Sequence, residues 1–282
     1  MDSREYPSRY LHIAGAFAAG GTFTNVHPEV SIDVQIPTIA PVHLPMVGGI
    51  SEAKAGKTSV DCKKLKVDGL SRETARQLRA TELMTVGSAY SLAQTAPEAP
   101  GQPFKSRSVS DVKSVRVSGG LTMKYCRLTL QSSHDPAKTQ HPQITFGPTE
   151  ITGLKLGKSE LTITLDVEPF NRYSTLQSFE AAFQTNAKFR AEISGRFLVD
   201  AATGGLHRSP SGYVVGSIVK SIKGLPEGAT LEGPYTIYWP KFGRIILGEI
   251  LMGPYIRRVT LVRLKRSDVE VGSGCSGGGS LP

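Results

Sequence analysis

Residues 235–266 read YTIYWPKFGRIILGEILMGPYIRRVTLVRLKR. Two runs of β-branched and aliphatic residues meet at Gly253-Pro254, and cations flank each run. Apolar runs of this length, split by a turn dipeptide, predict a long β-hairpin, and that hairpin sets the fold class. With Gly253 and Pro254 as the turn, and Gly253 supplying positive φ, Glu249 faces Arg258 and Arg244 faces Arg263. The first pair contributes about 0.2–1 kcal/mol, whereas the second is unfavourable unless an anion or a distant acid relieves it. Ile245, Leu247 and Leu251 line one face, and Ile246, Ile250, Val259 and Leu261 the other. A strand pair apolar on both faces belongs in a sandwich core or at a subunit interface, so a homo-oligomer is expected.

Working outward, turn signals recur through the chain, which has 30 Gly and 18 Pro among 282 residues. Residues 109–117 and 121–130 flank Ser118-Gly119-Gly120, and residues 150–156 and 160–167 flank Gly157-Lys158-Ser159, each a hairpin signal. Residues 189–199 and 212–222 read as further strands. Helical spacing of Leu176, Phe179, Ala182 and Phe183 predicts one helix over 173–186. A second, capped by Ser71 with Glu73 in its first turn, runs to about Met84. The expected fold is mainly β: an antiparallel β-sandwich or barrel-like domain with one or two short helices. Prolines at 28, 37, 41 and 45 make residues 1–58 an irregular arm. Residues 59–268 form the β domain, with a loop or sub-boundary at 96–107, and the Gly/Ser-rich residues 269–282 a flexible tail.

The net charge of +9 is concentrated in residues 54–79 and 241–266. Arg72, Arg76 and Arg79 share one face of the first helix, and Arg244, Arg257, Arg263 and Lys265 lie on the hairpin. These seven are the candidate anion-binding residues. The partner they suit is anionic: nucleic acid, an acidic protein or an anionic surface. Cys62, Cys126 and Cys275 are too few for a disulfide framework, which points to a reducing, cytoplasmic setting. Residues 10–28 carry no Asp, Glu, Lys or Arg but are too polar and glycine-rich to span a bilayer, so no transmembrane segment is expected.

Catalytic patterns are weak. Gly56-Lys57-Thr58 supplies half of a phosphate-binding loop, but Ser51 stands where its first glycine belongs. The glycines of 272–278 match two motif spacings without the strand–helix context that gives either motif its chemistry. His134, Asp135 and His141 form the one cluster with ligand chemistry, at a spacing that fits no standard metal site. No cofactor is expected. The composition favours a non-enzymatic structural or binding protein that self-associates and presents a basic surface. The alternatives are a hydrolase or nucleotide-using enzyme built from distant residues, or a β-barrel around an apolar ligand.

Overall fold

The computed structural model describes residues 10–24, 26, 32–63, 71–96, 102–233, 235–240, 242–265 and 268–280. The first half contains β1 (Tyr10–Phe23), β2 (Val34–Ile39), β3 (Val42–His43), β4 (Ile50–Ala55), β5 (Thr58–Asp61), α1 (Arg72–Ala80), β6 (Glu82–Thr95), β7 (Phe104–Val117) and β8 (Leu121–His134). Short elements follow: β9 (Gln143–Phe146), β10 (Glu150–Thr152), β11 (Lys155–Leu156), β12 (Ser159–Glu160), β13 (Thr162–Leu165), α2 (Glu168–Arg172), α3 (Leu176–Thr185) and α4 (Ala187–Glu192). The chain closes with β14 (Val214–Ser217), β15 (Val219–Lys223), β16 (Thr230–Glu232), β17 (Thr236–Trp239), β18 (Gly243–Met252), β19 (Ile256–Leu264) and β20 (Val269–Ser280).

These strands build two large antiparallel sheets. One runs β16-β17-β18-β19-β20-β1-β2, and the other β12-β11-β8-β7-β6-β4 with β9 and β10 also on β8. The mainly β, antiparallel architecture is the expected one, with four short helices rather than one or two. β1 and β20 lie across β6, β7 and β8. Where they cross, small residues fill the interior: Ala14 and Ala16 of β1, Ser273 and Ser276 of β20, and Ser106, Ser108 and Ser110 of β7 are buried. The sheets are joined there by hydroxyls: Ser106 donates to the Ile13 carbonyl at 3.3 Å and Ser110 to the Phe17 carbonyl at 3.0 Å. Larger side chains (Phe170, Phe179, Phe189, Leu121, Trp239) fill the rest of the core.

That seam explains two departures from the sequence reading. The expected flexible tail is β20, hydrogen-bonded to β19 on one side and β1 on the other. Backbone approach demands glycine at two of its positions: a Cβ on Gly277 would lie 2.0 Å from the Tyr255 carbonyl oxygen, and one on Gly278 2.8 Å from that of Leu11. The expected irregular arm contributes β1, a 14-residue interior strand paired with β20 on one side and with β2 and β3 on the other. Residues 1–9, also assigned to that arm, lie outside the described residues.

The hairpin forms as β18–β19, but its turn is centred one residue later. The Gly253 amide donates to Ile256 O at 2.8 Å, so Pro254 and Tyr255 are the central residues. Proline's fixed φ suits that first central position, and Gly253 is not among the residues with positive φ. Glu249 therefore pairs with Thr260, and Ile246 with Arg263. A slip of two positions keeps each side chain on its face and changes only its neighbours. The facing itself switches at Gly248, whose φ is 61°: Ile245 and Leu247 are buried before it, Ile250 and Met252 after it.

The helix at 173–186 is α3 with its four apolar residues buried, capped by Thr175 and Ser178. Ser71 caps α1, which stops at Ala80. The strand expected at 189–199 is instead α4 and a turn, because the Asn186 side chain caps the Phe189 amide and starts a helix.

Candidate polyanion-binding face

Of the seven candidate anion-binding residues, two are neutralised by carboxylates and one is buried. Arg244 bonds Glu232 at 2.6 Å, and Arg263 bonds Glu249 at 2.7 Å and approaches Glu270 at 3.1 Å. The expected Arg244–Arg263 contact is thus replaced by carboxylate partners for both. Arg257 is buried, donating to the carbonyls of Ile144, Phe170 and Tyr173. Arg72, Arg76, Arg79 and Lys265 are exposed, the first three on α1. His134 is buried with Nε2 against the Thr139 carbonyl, Asp135 binds Lys138 and caps the Ala137 amide, and His141 stands edge-on to Tyr255. Among the described residues no group of His, Cys, Asp or Glu is placed to hold a metal.

Further unpaired charge lies on the outer face of the second sheet. Alternation puts Ser106, Ser108, Ser110 and Val112 of β7 inward and Lys105, Arg107, Val109, Asp111 and Lys113 outward, with Val109 and its neighbour Thr129 buried between the Arg107 and Asp111 rows. Register aligns rows across the sheet. Gln94, Arg107, Gln131 and Thr145 form one; Lys54, Tyr90, Asp111, Arg127 and Glu150 form a second; Ser88, Lys113, Tyr125 and Thr152 form a third. Neighbouring positions on one face of a strand are about 6.8 Å apart and adjacent strands about 4.8 Å.

A local kink adds a further row. Ser114 has φ 57°, and the facing switches there, so Val115 turns inward and Arg116 outward. Without that step Arg116 would point into the core. The kink requires glycine opposite it, because a Cβ on Gly87 would lie 2.8 Å from the Ser114 Cβ. Lys113 and Arg116 thereby share a face with Lys124 of β8.

Two tyrosines sit among these cations. Lys54 lies 5.6 Å from the Tyr90 ring centroid and Lys113 6.0 Å from that of Tyr125. The Tyr125 hydroxyl donates to Asp111 at 2.6 Å, and Arg127 approaches the same carboxylate at 3.8 Å. Burial, then this hydrogen bond, pushes the Tyr125 phenol up to about 12. Folding therefore favours protonated Tyr125; that contribution is complete below the usual value of 10 and is lost as pH rises toward 12. Absorbance titration of phenolate should show Tyr125 still protonated at about pH 11, and Asp111→Asn should bring it down. An unshifted Tyr125 in the native protein would contradict this geometry.

Among the described residues, Lys105, Arg107, Arg116 and Lys124 have neither a hydrogen-bond nor an ion-pair partner, and Lys113 has only the tyrosine ring. Lys105, Lys113, Arg116 and Lys124 are exposed. The cations outnumber the acids Glu52, Asp111 and Glu150, so the face is positive. At one end Gln94, Lys105, Arg107, Gln131, Gln143 and Thr145 surround a cavity of about 460 Å³. None of these residues was singled out in the sequence. For Lys105, Arg107 and Lys113 the signal is a period-two placement in KSRSVSDVKSVRV, which dilution by serine and valine hides from a search for charge runs.

A family model described as a domain of unknown function (DUF8256) matches residues 10–253. No curated protein and no solved structure matches the chain.

Proposed function

The chain belongs to the DUF8256 family, a domain of unknown function, and we propose that it is a non-enzymatic binding protein whose second sheet takes an extended polyanion on its outer face. The observation that carries this reading is the set of unpaired cations on the outer face of the second sheet, with the Tyr125 ring beside Lys113. Cations already neutralised by carboxylates gain little from a further anion, whereas unpaired ones release counterions when a polyanion binds. Half-buried aromatic rings add cation–π contacts that strengthen such a surface.

Self-association is part of the proposal. It is supported by Met46, Val47 and Ile50, which are 69%, 80% and 73% exposed beside the edge strand β4. The hairpin that first suggested it buries most of its apolar side chains within its own chain. A reducing, cytoplasmic setting is also proposed, in keeping with three unbridged cysteines. Among the described residues no helix is long and apolar enough to cross a membrane.

The direct test is binding of inorganic polyphosphate, followed by fluorescence or calorimetry. Affinity should fall about ten-fold or more as salt rises from about 50 to about 200 mM. Absence of binding at low salt, or binding indifferent to salt, would overturn the reading.

A further inference from the structure

We infer that the cavity at the end of this face receives a nucleobase, which makes the polyanion a single-stranded nucleic acid. The inference rests on the polyanion reading and adds the identity of the ligand. Register places Gln94, Arg107, Gln131 and Thr145 in one row and Lys105 and Gln143 beside it, around about 460 Å³ of space. That volume lies within the range of small-ligand pockets, about 300–1,000 Å³. Among the described residues, the amides of Gln94, Gln131 and Gln143 have no hydrogen-bond partner, and Arg107 Nε is enclosed without one. Folding uses none of these groups.

Their chemistry discriminates between polyanions. A phosphate or sulfate presents only acceptors, so a site built for it needs only donors. Each glutamine instead carries an acceptor oxygen beside its donor nitrogen, and the oxygen would oppose an anionic ligand. A base edge presents a donor beside an acceptor, which an amide matches in pairs. Arg107 supplies two parallel donors to base acceptors or a plane on which a base stacks. A base reaches such a pocket only when unpaired, since a duplex hides its edges from an open sheet. Lys105, next to the cavity, and Lys113 and Arg116, further along the face, then track the backbone.

The experiment measures affinities of the full chain for four RNA homopolymers of equal length and for inorganic polyphosphate. The homopolymers carry equal charge, so their tightest and weakest should differ by about five-fold or more through base contacts. Gln94→Leu with Gln131→Leu should shrink that spread to within about two-fold and leave polyphosphate binding unchanged, which also shows that the variant is folded. Should that pair lose polyphosphate binding as well, Gln143→Leu alone is read by the same criterion. Equal homopolymer affinities in the unmodified protein, or a spread the variants leave intact, would overturn the inference while the polyanion reading stands. Failure of homopolymers and polyphosphate alike would remove both.

Discussion

Replacing Arg257 by alanine is expected to cost about 3–5 kcal/mol of stability. The side chain is 1% exposed and donates to three carbonyls, those of Ile144, Phe170 and Tyr173. They belong to β9, to α2 and to the residue that follows α2, so one guanidinium from β19 ties the helical segment to the sheets. Truncation leaves three buried acceptors without a donor and opens a hole where the stem packed. Burial pushes Arg257 down to about 9, so it is still a cation at neutral pH, held by carbonyl dipoles. Because its folded value lies below the unfolded one, its contribution changes only above about pH 9, where stability rises with pH. Near neutrality both states keep the proton and Arg257 adds no pH dependence. Urea unfolding should show the loss as a lower midpoint, and a change below about 1 kcal/mol would refute the role described.

The second large effect is on binding. Lys113→Glu combined with Arg116→Glu should weaken polyphosphate binding about 100-fold at low salt, because two attractive contacts become repulsive. Both side chains are exposed, so the fold should survive. Arg244→Glu serves as the contrast. It breaks a half-exposed pair with Glu232 and should alter binding by less than about three-fold. Arg263→Glu would be a poor control, since Glu249 and Glu270 beside it are 14% and 9% exposed and would be left facing a third carboxylate.

Which features were legible in the sequence follows from where the physics is local. The β18–β19 hairpin and α3 declare themselves through apolar spacing, and the burial of Leu176, Phe179, Ala182 and Phe183 matches that spacing. The Ser71 cap is local too. β20 was hidden because flexible chains and closely packed strands both need glycine and serine, and only the partner strands β1 and β19 distinguish them. The turn falls at Pro254-Tyr255 because proline's fixed φ, rather than glycine's freedom, sets its first central position. On the candidate site, sequence reading found concentrated charge but not its neutralisation: Glu232 and Glu270 reach Arg244 and Arg263 across the sheet. The free cations of β7 and β8 were overlooked because two features place them, register and the Ser114 kink, and neither shows as a charge run.

The central claim is that the outer face of the second sheet carries the anion contacts, and the salt slope of binding tests it residue by residue. Polyphosphate affinity is measured against salt for the unmodified protein, Arg116→Gln and Arg244→Gln. The account predicts that Arg116→Gln lowers the logarithmic slope by about one contact, while Arg244→Gln leaves it unchanged. The reverse pattern, or equal slopes in all three proteins, would contradict it.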